Sequence, residues 1–194
     1  MEPQRFHPDR LADFAANVLR ELKVPPADAA VTAECLIKAH LRGFDTHGLP
    51  CLPGYVECLQ QGRIKSRPDM VVQKPTAWSF CLDADNGLGQ IAAHKAMLLA
   101  LDAVEKLGVG AVAICRSNHF GAASAYSLMA LGKNCIGLVT SNASAVTAPF
   151  GSSEPILGTN PLSVAVPAGK VPPFVIDMAT SEGARKKIRK ALAT

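Results

Sequence analysis

The first 60 residues place hydrophobic side chains every three or four positions, which is the spacing of amphipathic helices. Prolines suited to a first helical turn and glycines suited to a helix end divide this region into three segments. The first predicted helix has Pro8 in its first turn and runs to Leu22, the second runs from Pro26 to His40 or Leu41, and a short third contains Tyr55, Val56 and Leu59 and ends at Gly62. The sequence therefore predicts a helical N-terminal segment.

The pattern changes near residue 78, where Trp78, Phe80 and Leu82 alternate with smaller residues in the period-2 manner of a strand. Short apolar runs and helical spacings then alternate. The predicted order is a strand at 78–82, a helix at 90–107, a strand at 111–115, a helix at 122–131, and strands at 136–140, 162–166 and 174–177. This order predicts the fold class α/β, with a helical segment at residues 1–72 and a layered α/β core at residues 73–194.

Composition and charge exclude several classes of protein. Of the 194 residues, 48% are hydrophobic and only 19% are charged, which excludes an intrinsically disordered chain. The formal net charge of +4 comes from a basic cluster between Arg185 and Lys190, and the rest of the chain is close to neutral. We therefore expect no nucleic-acid partner, and a nucleic-acid contact by the basic cluster ranks last among the functional hypotheses.

Signals for targeting and for metal binding are not found in the sequence. No apolar run approaches the roughly 18 residues that a membrane-spanning helix needs, and no signal-peptide pattern opens the chain. The six cysteines and five histidines show no metal-ligand spacing, and no two cysteines form a C-x-x-C pair. We expect a cytoplasmic protein with no membrane partner and no metal site.

A polar loop follows the second predicted helix and reads Arg42-Gly-Phe-Asp-Thr-His-Gly48. His47 lies beside the hydroxyl of Thr46 and the carboxylate of Asp45, and imidazole is the side chain best suited to general acid or base chemistry near neutral pH. The alternative is that Asp45 and Thr46 cap a helix or turn while His47 is merely exposed. A hydrolytic triad is disfavoured, because consecutive residues do not easily supply its linear chain of hydrogen bonds.

The segment Arg116-Ser-Asn-His-Phe-Gly-Ala-Ala123 follows a predicted strand and opens a predicted helix. Backbone N–H groups at such a junction, together with the positive end of the helix dipole, suit a phosphate or a carboxylate. Ser117 or Asn118 could instead act as a simple N-cap, and the two interpretations are compatible.

Three further segments combine glycines or turn residues with polar side chains. Gly158-Thr-Asn-Pro161 has the composition of a turn, and the carboxylate in Asp177-Met-Ala-Thr-Ser181 either reaches a cofactor or caps the next helix. The run from Gly87 to Ala92 matches the glycine pattern of a dinucleotide fold. The acidic residue expected about 20 positions later is missing, so we predict that the fold is not a Rossmann fold.

Taken in order, five of these segments resemble one family closely, the type-2 malate/L-lactate dehydrogenases. The matching segments are residues 42–48, 85–90, 117–121, 158–161 and 177–181. The resemblance implies a non-Rossmann α/β fold, a homodimer, and an NAD(P)-dependent oxidoreductase. Such an enzyme transfers a hydride between NAD or NADP and a small 2-hydroxy or 2-oxo acid, similar to malate or lactate.

The resemblance also implies roles for individual residues. His47 is similar to the family's proton donor or acceptor and Thr46 replaces its usual serine partner, while in some members the equivalent of His119 transfers the proton. The implied cofactor-binding residues are His119, Phe120, Gly121, Ala122, Ala123, Asp177, Met178 and Ala179. The implied substrate-binding residues are Arg42, Thr140 and Asn160.

Two departures from the family affect these expectations. Many members carry an arginine four residues after the catalytic histidine, where this chain has Cys51. A thiol cannot grip a carboxylate, so Arg42 or a residue outside the chain must supply the charge. Family members also continue well beyond Thr194, so we expect the N-terminal part of a longer enzyme, apparently truncated at the C-terminus. The alternative function is an inactive fragment that acts as an interaction module.

Overall fold

A computed structural model of the chain describes residues 5–181. The chain divides after Ala122 into two compact units. The first unit contains the N-terminal helices and a three-stranded sheet, and the second contains another three-stranded sheet. Among residues 5–181, none of the helices combines the length and the hydropathy that a membrane span requires. The basic cluster between Arg185 and Lys190 lies outside the described residues.

The three N-terminal helices form where the hydrophobic spacing predicts them, so this prediction is confirmed. Their bounds are Pro8–Glu21 (α1), Pro26–Leu41 (α2) and Leu52–Gln60 (α3). Each has a proline in its first turn, where the missing N–H removes no helical hydrogen bond. The apolar faces of α1 and α2 pack together and bury Leu19 and Leu36 completely.

The first sheet has the strand order β1-β2-β3. Strand β1 (Val71–Gln73) pairs antiparallel with β2 (Ser79–Asp83), and β2 pairs in parallel with β3 (Ala111–Cys115). A parallel pair needs a crossover, which is helix α4 (Gly89–Leu107), ending at a left-handed Gly108. Strand β1 was not predicted, because its three residues are all exposed and carry no hydrophobic alternation.

The beginning of α4 belongs to the core of the N-terminal helices. Leu88 and Ile91 pack in the same buried cluster as Leu36 and Tyr55. Further along, α4 packs on β2, where Leu82 is completely buried. Helix α4 therefore joins the helical layer to the sheet, and it brings residues from both into one neighbourhood.

The second unit contains an antiparallel sheet with the strand order β4-β5-β6. Its strands are Gly137–Thr140 (β4), Pro161–Val166 (β5) and Phe174–Ala179 (β6). In this sheet Ser163 and Ala165 of β5 are buried. The three strands predicted for this region are confirmed, each to within two residues at either end.

The prediction of one continuous helix over residues 122–131 is wrong. The structure has a four-residue helix, α5 (Ser124–Ser127), followed by a 3-10 turn (Leu128–Lys133). Ser127 is completely buried, and its hydroxyl lies 2.8 Å from that of Ser163 on β5. Tertiary contacts of this kind override the local preference for one continuous helix.

The glycines of the dinucleotide-like run allow close packing. At Gly89, the first residue of α4, an added Cβ would overlap the backbone carbonyl oxygens of Asn118 and His119. At Gly87 it would overlap the ring of Pro68. The first turn of α4 therefore lies directly against the backbone of the segment that carries His119.

Replacing Gly89 with alanine should destabilise the chain, because the added methyl group meets backbone atoms that cannot rotate away. We expect Gly89→Ala to lower the free energy of unfolding by about 1–3 kcal/mol, as overpacking does. The matched control is Gly54→Ala on the exposed face of α3, where nothing lies within 4 Å of an added Cβ. That change should raise stability by about 0.5–1 kcal/mol. Urea unfolding of both variants measures the difference, and equal effects would contradict the close approach.

Candidate active site

The loop that carries His47 is fixed by the end of α2. Gly43 is left-handed, with φ of +80°, and the backbone N–H of Phe44 donates to the carbonyl of Ala39 at 2.9 Å. The chain then forms a 3-10 turn over Asp45–His47, in which the His47 N–H donates to the Phe44 carbonyl at 2.8 Å. Backbone hydrogen bonds therefore fix the main chain at His47.

The hydroxyl of Thr46 holds the imidazole of His47. Its Oγ1 lies 3.0 Å from Nδ1 of the ring. A hydroxyl both donates and accepts, so this contact suits the neutral and the protonated imidazole alike. Beneath the loop, the buried thiol of Cys51 donates to the Thr46 carbonyl at 3.3 Å. Within residues 5–181 this turn has no side-chain cap, so Thr46 contacts the imidazole and does not cap the turn.

His119 is held by two polar side chains that lie in the core. The Oη of Tyr55 lies 2.6 Å from Nδ1 of His119, and Nε2 of Gln90 donates to the same Oη at 2.7 Å. Gln90 is completely buried and Tyr55 is 5% exposed, whereas His119 is exposed. Burial raises the pKa of Tyr55 well above its usual value, and the nearby thiol of Cys51 adds to this shift. The phenol therefore stays protonated.

The two imidazoles stack on one another. The ring centroids of His47 and His119 are 5.6 Å apart, and the angle between the rings is 19°. Two positive charges at that distance repel each other, so the pair favours one bound proton over two. Chemically, the pair can store a proton and deliver it. No group of three or more metal-ligating side chains occurs in the part of the chain that the structure describes.

Ion pairs join the ends of β2 and β3, where the chain turns toward the imidazole pair. Arg116 Nε lies 2.8 Å from a carboxylate oxygen of Asp83, and Lys65 Nζ lies 2.7 Å from one of Asp85. The Arg116 guanidinium holds the pKa of Asp83 below its usual value. The Lys65 ammonium and a backbone N–H do the same for the pKa of Asp85. The Arg116 pair joins the residue after β3 to the end of β2, and the Lys65 pair joins the loop after β2 to the segment before β1.

Asn118 anchors this segment to the neighbouring loop. Its amide donates to Oδ1 of Asn86 at 3.0 Å and to the carbonyl of Gly87 at 2.9 Å. The next helix begins only at Ser124, and its N-cap residue, Ala123, makes no side-chain capping hydrogen bond. N-capping by Ser117 or Asn118 is therefore wrong, since neither residue is adjacent to a helix start.

Other residues predicted for the site lie in the second unit and take part in its local structure. Oδ2 of Asp177 accepts the backbone N–H of Ser124 at 2.8 Å, at the start of α5. Oδ1 of Asn160 accepts the N–H of Ala143 at 2.9 Å. The hydroxyl of Thr140 donates to a backbone carbonyl of β5 at 3.0 Å. Asp177 thus binds the backbone at the start of α5, whereas the next helix along the chain, which the sequence offered for it to cap, lies outside the described residues.

The remaining predicted residues differ in accessibility. The side chain of Arg42 is exposed at the C-terminal end of α2. In the stretch predicted to bind the cofactor, Phe120 is half-buried and residues 121–123 are buried. On β6, Met178 is exposed and Ala179 is half-buried. Only part of the predicted cofactor stretch is therefore accessible to a ligand in each unit.

Tyr55 and Gln90 are absent from the residues that the sequence predicts for the site. Both lie at positions that the helical spacing explains as core, and 64 residues separate Tyr55 from His119. The signals for Gln90 were its place in the family-matching segment 85–90 and in the first turn of an apolar helix. A buried amide needs a partner, so its position indicated a polar contact without naming it.

Fold and site together define an α/β protein in which two histidine rings stack on one another and a glycine run allows close packing. The chain belongs to the malate/L-lactate dehydrogenase family, whose family model matches residues 6–194. The family resemblance and the mixed α/β class are thereby confirmed.

Three relatives show how far the similarity extends. The chain is 40% identical to L-sulfolactate dehydrogenase of Methanocaldococcus jannaschii, over 95% of this chain and 54% of that protein. It is 41% identical to malate dehydrogenase of Pyrococcus abyssi, over 91% of this chain and 49% of that protein. The solved structure of malate dehydrogenase from Pyrococcus horikoshii OT3 superposes with a TM-score of 0.93 at 38% identity, covering 96% of this chain and 53% of that one. The chain spans about half the length of these relatives.

The paired carboxylates predict that the free energy of unfolding falls in acid. The pKa of Asp85 in the folded chain lies below its unfolded value, so its pairing adds stability that is complete above about pH 4. That stability is lost as the pH falls through the folded pKa. Asp85→Asn should therefore lower the free energy of unfolding at pH 7 and flatten its decline below pH 4. Urea midpoints between pH 7 and pH 3 measure this.

The control for this series is Asp13→Asn, at an exposed position on α1. This variant should follow the parent chain at every pH. If Asp85→Asn also followed the parent chain, the contribution of the Lys65 pair to acid stability would be refuted.

Proposed function

We propose that this chain supplies the proton-transfer site of an NAD(P)-dependent oxidoreductase that interconverts small 2-hydroxy acids and 2-oxo acids. The observation that carries the proposal is the stacked pair of His47 and His119, in which a hydroxyl contacts Nδ1 of each ring. Relatives named for malate and L-sulfolactate support this substrate class, since both compounds are 2-hydroxy acids.

His47 is the proposed proton donor in reduction and the acceptor in oxidation. Because Thr46 occupies Nδ1, the exchanged proton is carried at Nε2. A bound nicotinamide would supply the hydride that adds to C2 of the substrate. As the substrate oxygen gains negative charge, protonated His47 donates to it, and in the opposite direction neutral His47 accepts the hydroxyl proton. His119 is the second imidazole of this exchange.

The accessible residues beside the histidines fit one end of such a cofactor. His119 is exposed and Phe120 is half-buried, and flat aromatic side chains suit contact with a nicotinamide ring. Residues 121–123, which follow directly in the chain, are buried. Asp177, Met178 and Ala179 are the further cofactor contacts implied by the family, and NAD and NADP are both candidates.

The substrate end of the proposal rests on charge and on family resemblance. Arg42 is exposed and carries the positive charge that a substrate carboxylate requires, so it is the proposed partner of that group. Thr140 and Asn160 are the proposed further substrate contacts. Assembly as a homodimer and a cytoplasmic location stay predictions of the family resemblance.

Steady-state absorbance of NADH and NADPH with oxaloacetate, sulfopyruvate and pyruvate tests the function. We expect oxidation of at least one cofactor by one of these acids. His47→Ala should lower kcat about 100-fold or more, because general acid catalysis contributes that much. The dissociation constant for NAD(P)H, measured by its fluorescence, should stay within about twofold, since the proton donor need not hold the cofactor.

His7→Ala is the control, because His7 is exposed and pairs only with Asp9 in the described structure. Its kcat should match that of the parent chain. A folded chain that binds NAD(P)H but turns over none of the acids would refute the proposal and favour the interaction module. Unchanged turnover in His47→Ala would refute the role of His47.

The contact between Thr46 and His47 gives a finer test. Thr46→Val removes the hydroxyl at nearly constant volume, whereas Thr46→Ser keeps it. Loss of one hydrogen bond to the imidazole should lower kcat about tenfold in Thr46→Val, and Thr46→Ser should stay within about threefold of the parent chain. Equal activities of the two variants would show that the hydroxyl does not orient His47.

A further inference from the structure

Gln90 holds a buried polar atom that no described residue satisfies. Its side chain is completely buried, its Nε2 donates to Tyr55, and its Oε1 has no hydrogen-bond partner. A buried carbonyl oxygen without a partner costs free energy, and such atoms are rare in folded proteins. The Gln90 amide therefore has an unused acceptor, Oε1, at the buried end of the chain of hydrogen bonds that leads to His119.

The arrangement in the structure fixes one form of the neutral histidine. Because Gln90 donates to Oη of Tyr55, the single hydroxyl proton of Tyr55 is available for Nδ1 of His119, 2.6 Å away. An imidazole that accepts at Nδ1 carries its own proton at Nε2 when it is neutral. The two core side chains thus select the tautomer of an exposed ring.

When His119 is protonated, its hydrogen bond to Tyr55 must run in the opposite direction. Both ring nitrogens then carry protons, so Nδ1 of His119 must donate to Oη of Tyr55. The hydroxyl proton of Tyr55 must in turn find another acceptor. Rotating the Gln90 amide by about 180° places its oxygen where Nε2 was, because the two ends of an amide have nearly the same shape. The residue beside the amide is Gly121, where even an added Cβ would stay 3.9 Å from Nε2.

We propose that Tyr55 and Gln90 are positioning residues that hold His119 in both of its protonation states, with the Gln90 amide reversing as the ring gains or loses its proton. The inference rests on the proposed function in one respect, that His119 exchanges a proton at this site. The hydrogen-bond chain itself exists without substrate or cofactor, so its behaviour and the enzymatic activity can be tested separately.

The chemistry of Gln90, Tyr55 and His119 allows the hydrogen bonds between them to reverse direction. A glutamate at position 90 would only accept and a lysine would only donate, whereas an amide does both. Burial raises the pKa of Tyr55 well above its usual value, so the hydroxyl changes direction without losing its proton. The titratable groups facing this chain are His47, stacked on His119, and the thiols of Cys35, Cys51 and Cys58 around Tyr55.

Nitrogen-15 NMR of the imidazoles, recorded from pH 5 to pH 9, tests the inference in the 194-residue chain. Neutral His119 should show an acceptor-type Nδ1 and a protonated Nε2. Gln90→Met keeps the length of the side chain and removes both amide functions. In that variant the protonated ring leaves the Tyr55 hydroxyl without its buried acceptor, so the midpoint of the His119 titration should fall by about one unit.

Two further variants separate positioning from plain structural support. Tyr55→Phe keeps the ring but removes the hydroxyl, so neutral His119 should become a mixture of tautomers. Thr32→Val is the matched control, since Thr32 is a completely buried hydroxyl on α2 that donates to the carbonyl of Asp28. It should lower stability and leave the tautomer and the titration of His119 unchanged.

The outcomes divide cleanly. A neutral His119 protonated at Nδ1 in the parent chain would overturn the inference, as would an unchanged titration in Gln90→Met. If that variant does not fold, the tautomer of His119 in Tyr55→Phe decides, and a single unchanged tautomer overturns it. Repeating the titration with His47→Gln removes the coupling between the two rings. A chain without dehydrogenase activity would refute the proposed function and leave these spectra as they are.

Discussion

The contact between the first turn of α4 and the backbone of Asn118 and His119 is the constraint on which the site depends. Only a residue without a Cβ fits at Gly89, where a side chain would overlap two carbonyl oxygens. The next residue, Gln90, consequently lies within hydrogen-bond reach of Tyr55, and Tyr55 reaches His119. A glycine pattern that in another fold would approach a phosphate here lets a helix approach the segment that carries His119.

The strand ends support that contact by a different means. Asp85, Asn86 and Arg116 all adopt left-handed backbone conformations, with φ between +45° and +59°. Such conformations cost about 1–2 kcal/mol for most residues and less for Asp and Asn. Side chains of the same residues offset the cost, since Arg116 pairs with Asp83 and the amide of Asn86 donates to the Arg63 carbonyl at 2.8 Å. The polar side chains at these turns therefore stabilise the left-handed backbone conformations.

Hydrophobic spacing and short apolar runs were enough to predict the N-terminal helices, α4 and five of the six strands. They failed for β1, which has only three residues, and for residues 122–131, where a buried serine contacts the neighbouring strand. In the site, the contact between Thr46 and His47 joins sequence neighbours and could be anticipated. The contact between Tyr55 and His119 joins residues 64 positions apart, so only the folded chain reveals it.

Cys51 has a structural role at a position where many family members carry an arginine. Here the thiol is 8% exposed and donates to the Thr46 carbonyl. A guanidinium that buried would need a compensating charge, whereas a thiol packs as a small apolar group. Position 51 therefore steadies the loop that carries His47 and cannot bind a carboxylate. Under the proposed function, the charge that meets a substrate carboxylate must therefore come from another group, and the exposed Arg42 is the proposed one.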